Sequence, residues 1–411
     1  MSISTESRTT KIQNIIENRK PIAQKTAETI KQLNVVKSLL EDFARFLPTI
    51  LEKEIPAENK VKINELQSDL KKFDGQILVR LTELDQIKTR FERSTLNIGI
   101  VGNAGQGKST FLQRLTGLAE AEIPTSGKGD CTGAAAIIKN ESVSNTYADI
   151  EFYSQKEFLD QVIAPYYKKM ELPIPQSLEE FAKPLLSTIP QKFFDEIKFI
   201  ERLQQGLPNY RCYLGENSKR IGKDEIRNYT AKNDPNGKPL VTWASVKSAE
   251  VHCRFPSLEN EKISVGDTPG LGDRHVPESE EKLMEDFGKN IDAVIMLRKI
   301  KERGIRTEDV RLFNLIGAAI PELEPGKWSY FMVNVFSSDK TNNVTKEALE
   351  FLPKDFRDSS LKGMQSYIEV DCSDRDAVLN EFDKILTDIA NNQQSLDETL
   401  YNKRFENIKT L

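Results

Sequence analysis

The chain reads as an α/β protein with a mostly parallel sheet flanked by helices, and beside that domain a helical bundle, or neck, built from its N- and C-terminal segments. Three observations predict this. An apolar run, Leu96 to Val101, feeds a glycine-rich turn and then helical spacing. Between Leu96 and Asp374 strand-like runs alternate with helical ones, the rhythm of an open parallel sheet. At both chain ends apolar residues recur at three- and four-residue steps.

The N-terminal segment comes first. Residues 12–51 and 61–91 each carry an amphipathic stripe, broken between Pro48 and Pro56; in the second the series is Leu66, Leu70, Phe73, Ile77, Leu81, Leu84, Phe91. Such a stripe needs a covering partner. Val378, Phe382, Ile385, Leu386, Ile389, Leu396 and Leu400 repeat the spacing at the other end. Residues 1–92 and 376–411 are therefore expected to meet in one bundle, with 93–375 as the α/β domain. Strands are expected at 96–101, 134–139, 147–153, 246–255, 263–267, 291–297, 330–336 and 367–371. Residues 154–238 break the rhythm with short helical patterns and a turn cluster, Asn233 to Pro239, and read as a mainly helical insertion.

The first turn carries chemistry. Gly102-Asn103-Ala104-Gly105-Gln106-Gly107-Lys108-Ser109-Thr110 is G-x-x-x-x-G-K-S directly after a strand. Glycine at Gly102 and Gly107 lets consecutive N–H groups point inward at phosphate oxygens. Lys108 adds a point charge at the β and γ phosphates, Ser109 a hydroxyl for Mg²⁺, and the helix that follows puts its N-terminus under the phosphates.

Two further segments fit the same chemistry. Ile263 to Asp273 is a strand ending in Asp267-Thr268-Pro269-Gly270; a carboxylate there holds Mg²⁺ through water, and the Gly270 N–H follows the γ-phosphate. Ala121 to Ala136 is a flexible loop entering a strand. A threonine in it can offer its hydroxyl to Mg²⁺ and its carbonyl to the attacking water: Thr132 is the choice, Thr125 its competitor.

These three segments together, Gly102 to Thr110, Ile123-Pro124-Thr125-Ser126-Gly127 with Thr132, and Asp267 to Asp273, resemble those of the dynamin superfamily, bacterial dynamin-like proteins in particular. The resemblance implies a P-loop GTPase head with a helical neck, Mg²⁺ as cofactor, GTP as substrate, and heads that pair into a homodimer across their nucleotide faces. It also implies assembly, at a peripheral membrane site with a partner protein engaged through the terminal helices. The family reads its base with Asn/Thr-Lys-x-Asp after a strand. Here Asn334 is followed by Val335, and Asp339 stands five positions on. Cys372 and Ser373 end the next strand, where the family packs a loop on the base; a plain strand end is the other reading. Gln106 in the phosphate loop would face the γ-phosphate, a facing protomer or solvent. A slow GTP switch that recruits a partner, and a P-loop ATPase, are the alternative readings.

Composition bounds the rest. The chain has 411 residues, 38% hydrophobic and 29% charged, with a net charge of −5. It offers no general attraction for nucleic acid. Cys131, Cys212, Cys253 and Cys372 lack metal-ligand spacing and read as reduced thiols of a cytoplasmic protein. The N-terminus lacks a signal-peptide core. No run approaches the roughly 18–20 apolar residues that span a bilayer. His252 reads as strand structure, His275 as a loop residue, and Arg298 with the basic run to Arg306 as a solvated face or a charge supplied in trans.

Overall fold

The computed structural model describes residues 7–125, 132–185, 189–258, 262–268, 277–300, 304–336, 343–364 and 366–409. They form two compact units: one of Met1–Ile12 and Thr95–Ile389, the other of Gln13–Ser94 and Ala390–Leu411. Gly270, Asp339, Cys131 and His275 lie outside the described residues.

The first unit is built on nine strands: β1 (Leu96–Val101), β2 (Ala136–Asn140), β3 (Tyr147–Phe152), β4 (Ser218–Gly222), β5 (Val246–Cys253), β6 (Ile263–Asp267), β7 (Ala293–Lys299), β8 (Ser329–Asn334) and β9 (Tyr367–Val370). Their order is β4-β3-β5-β2-β6-β1-β7-β8-β9. The half from β6 to β9 is wholly parallel. In the other half β2 runs antiparallel to β6, and β3 antiparallel to both β4 and β5. The fold is thus α/β with a mostly parallel sheet flanked by helices, as the alternation of periods predicts.

Burial explains which runs became central. Every residue of β1, β6 and β8 is buried, the signature of a strand covered on both faces, whereas β3 alternates. Helix α3 (Lys108–Thr116) follows β1 and buries Phe111, Leu112 and Leu115. β4 has no counterpart in the sequence expectations. Ser-Lys-Arg-Ile-Gly buries only Ile221, so its pattern is too polar to read as a strand, and it forms at the sheet's edge by pairing with β3. The remainder of 154–238 is short helical pieces around one longer helix, Phe194–Tyr210. Their first turn is closed by a capping box between Ser154 and Glu157.

The second unit is helical. It takes most of α1 (Arg8–Leu51), all of α2 (Ala57–Glu92), and the last part of the helix Arg375–Lys409. Ile15, Ile16, Ala23 and Leu33 of α1, Ile77, Leu84, Ile87 and Phe91 of α2, and Leu396, Leu400 and Tyr401 of the C-terminal helix are buried. A buried ion pair crosses this core: Arg19 Nε donates to Asp397 Oδ2 at 2.7 Å, and Gln393 Nε2 donates to Asp397 Oδ1 at 2.9 Å. No helix among the described residues is long and apolar enough to cross a membrane.

Candidate functional site

The end of β1 and the start of α3 shape the phosphate loop. Gly102 and Gly107 have φ of +154° and +99°. A Cβ at Gly102 would sit 2.4 Å from the Leu297 carbonyl oxygen, and one at Gly107 would sit 2.5 Å from Asn334 Nδ2. Neighbouring strands therefore require glycine at both positions. Inside the loop Lys108 is buried, and its Nζ donates to the carbonyls of Gly102 at 2.8 Å and Asn103 at 3.1 Å. The ammonium is curled into the ring of backbone that would surround a phosphate. Ser109 and Thr110, at the helix start, are half-buried.

At the end of β6, the Thr132 hydroxyl donates to Asp267 Oδ2 at 3.2 Å, and both residues are buried. Their elements explain the meeting. Asp267 ends β6, next to β1 in the sheet. Thr132 is held from the other side by the insertion: it bridges to Ala231, and the Gly133 N–H donates to the Thr230 carbonyl at 2.7 Å. Thr125 lies elsewhere, with its hydroxyl on Glu120 and its carbonyl accepting from Arg227 Nη2 at 3.1 Å. Thr268, beside Asp267, is buried with its hydroxyl on the Ile100 carbonyl at 2.9 Å, tying the two strand ends together. Ser109, Thr132 and Asp267 offer two hydroxyls and a carboxylate, an all-oxygen donor set of the hard kind that Mg²⁺ takes.

Gln106 turns inward. It is buried, and its side-chain carbonyl accepts from the Lys299 N–H at 2.6 Å, bracing the loop on the end of β7. Gly105 is the exposed position of the loop, with Ala104 beside it half-buried, and a Cβ at Gly105 would meet nothing within 4 Å. Asn334 ends β8 fully buried: Nδ2 donates to the Gln106 carbonyl at 3.1 Å, and Oδ1 accepts from the Cys372 N–H at 3.1 Å. One amide thus links the phosphate loop to the loop after β9. Cys372 is buried, and burial pushes its thiol well up, so it packs rather than reacts.

Ser373 is exposed, its N–H and hydroxyl both on Asp371 Oδ1 at 2.9 Å and 2.5 Å, and its carbonyl accepts from Arg114 Nε at 3.0 Å. Asp371 and Arg114 are the residues sequence reasoning does not single out. Asp-x-Ser-Asp, with its local side-chain to backbone bonds, was the available signal.

The remaining features are structural. His252 is buried on β5, stacked on Tyr147 with ring centroids 4.6 Å apart, and its Nδ1 lies 2.9 Å from Glu141. Arg298 is neither a solvated face nor free to act in trans: it is buried and donates to Asp309 Oδ2 at 2.6 Å. Burial raises the Asp309 carboxyl despite the pull of Arg298.

Fold and site define the class, a P-loop fold with a strand, phosphate loop and helix on a mostly parallel sheet. No protein-family model and no curated protein matches the chain. Among solved structures, one described as an oligomerised bacterial dynamin pair, with a mechanism for long-range sensing and tethering of membranes, matches at TM-score 0.48 and 16% identity. The match covers 88% of this chain and 58% of that chain. This chain therefore spans less than two thirds of that protein's length. A likeness at that score is loose, and sensing and tethering are statements about that protein.

Proposed function

We propose that this chain is a dynamin-like, Mg²⁺-dependent GTPase that hydrolyses GTP to GDP and phosphate. The observation that supports it most is the pairing of two features: Lys108 Nζ curled onto the Gly102 and Asn103 carbonyls, and the Thr132 hydroxyl 3.2 Å from Asp267. In this reading the loop amides and Lys108 take the β and γ phosphates, trading the ammonium's two carbonyl partners for phosphate oxygens. Ser109, Thr132 and Asp267 would hold Mg²⁺, whose chemistry is to neutralise charge developing on the phosphates. Thr132 orients the attacking water through its carbonyl, and Gly270 follows the γ-phosphate. Asn334, Cys372 and Ser373, with Asp339, form the base side.

The chain works, in this reading, as a cytoplasmic protein with free thiols. Its heads pair, and its terminal helices pass the nucleotide state to a partner, at a membrane surface and without nucleic acid. A second reading is favoured by one observation: the residue after Asn334 is Val335, where a guanine-reading lysine would stand, which suits ATP. Displacement of fluorescent GTP separates them. Unlabelled GTP displacing at far lower concentration than ATP supports the proposal, and ATP displacing equally well overturns its base specificity. Turnover per molecule that rises with protein concentration supports head pairing; a flat, slow rate supports a switch instead.

A further inference from the structure

α1 carries two heptad seams. The inner one, Leu33, Lys37, Leu40, Ala44, Leu47 and Leu51, faces α2: Leu33 and Leu47 are buried, and Lys37 Nζ lies 3.5 Å from Asp74 on α2. The outer one runs Lys25, Thr29, Gln32, Val36, Leu39, Phe43, Phe46, Ile50, in alternating four- and three-residue steps. At its first two positions the C-terminal helix stands beside it, with Lys25 still exposed and Thr29 half-buried. Lys25 Nζ lies 4.8 Å from the Tyr401 ring centroid, and the Thr29 hydroxyl lies 3.5 Å from the Tyr401 hydroxyl. The two helices run parallel, since Arg19 pairs with Asp397 and Thr29 with Tyr401. The C-terminal helix extends to Lys409, about two turns past Tyr401, which brings it level with the start of the apolar stretch. From there the seam carries on exposed: Val36 43%, Leu39 64%, Phe43 41% and Phe46 55%.

An unbroken three-four spacing of apolar residues is the pattern that packs against another helix by knobs into holes. We propose that the outer seam of α1, residues 36–50, is a docking surface for a second copy of this chain, the two α1 helices packing antiparallel about a two-fold axis. Two observations select that occupant. In antiparallel pairing, Val36 lies against the second copy's Phe46 and Leu39 against its Phe43. Each layer from Val36 to Phe46 then joins one phenylalanine to one smaller side chain, which in-register parallel pairing would not do, and Ile50 at the end lies against the second copy's Gln32. The hairpin between residues 35 and 79 carries seven Lys and Arg against eight Asp and Glu, so it has no net positive charge to draw it to an anionic lipid surface. The interface continues the line on which Lys25 and Thr29 contact Tyr401 of the C-terminal helix, and it uses neither the nucleotide nor the heads.

The test is sedimentation velocity on the full chain without nucleotide, over about a hundredfold range of concentration. A monomer–dimer equilibrium is expected, weakened at least about tenfold by Leu39→Glu and by Phe46→Glu, with circular dichroism and nucleotide binding unchanged. Mixing Leu39→Cys copies with Phe43→Cys copies should give a disulfide between unlike copies. A wild type that stays monomeric, variants that dimerise like wild type, or crosslinks only between identical positions would each overturn the proposal. So would a monomer that co-sediments with vesicles and loses that binding on Leu39→Glu, which would put lipid in the seam. Head pairing needs nucleotide, so its failure and this one are read in separate experiments.

Discussion

The Asn334 side chain donates from Nδ2 to the Gln106 backbone carbonyl at 3.1 Å, so the end of β8 holds the phosphate loop directly. Its other end accepts from the Cys372 N–H. Asn334→Ala leaves a buried carbonyl and a buried N–H without their partner, which costs about 2–4 kcal/mol. We expect a lower unfolding midpoint and weaker nucleotide binding, read by thermal unfolding with and without nucleotide. A neutral result in both would remove the link between the two loops.

Thr132 and Thr125 separate by rate. Thr132→Ala removes the hydroxyl that sits 3.2 Å from Asp267, and turnover should fall on the order of a hundredfold with binding little changed. Thr125→Ala breaks only a contact with Glu120 and should leave turnover within about twofold. Steady-state phosphate release measures both.

The buried pair Arg19–Asp397 makes the helical unit sensitive to charge removal. Asp397→Ala takes the carboxylate away from a guanidinium that is 0% exposed, at a cost of about 3–5 kcal/mol. Replacing both, Arg19→Met with Asp397→Leu, is expected to restore most of that stability. Amide exchange in α1 and α2 reports this unit separately from the sheet, where a single two-state midpoint would not.

Acid should loosen the start of the insertion. The Ser154 backbone N–H, then Lys247 and the Ser154 hydroxyl, hold the Glu157 carboxyl down to about 2. A carboxylate lowered on folding contributes stability above its unfolded range and loses it as pH falls toward the folded value. Between the ordinary carboxylate range and pH about 2, Glu157→Gln should therefore flatten the decline in stability seen for wild type. Equal slopes for both would contradict the cap.

Much of this was legible in the chain. Leu96–Val101 and Ile263–Asp267 are strands with the ends their apolar runs give, because a strand covered on both faces is apolar throughout. Lys108 and its glycines are legible for a similar reason: the loop tolerates few other residues. What the sequence hides is whatever tertiary contact decides. Gln106 looks like a loop residue free to meet ligand, yet the Lys299 N–H claims its side chain. Arg298 sits in a basic run but is buried by Asp309, eleven residues on. β4 is a strand only because β3 offers it an edge. Heptad spacing in α1 marks two faces, and only the structure tells which of them α2 covers.

The central claim is that the loop from Gly102 to Ser109 captures a polyphosphate through its amides and Lys108. Isothermal titration calorimetry of GTP with Mg²⁺, on wild type and on Lys108→Ala checked for an unchanged circular dichroism spectrum, tests it most directly. The account predicts a loss of affinity of about a hundredfold or more. Wild-type affinity in Lys108→Ala would contradict it.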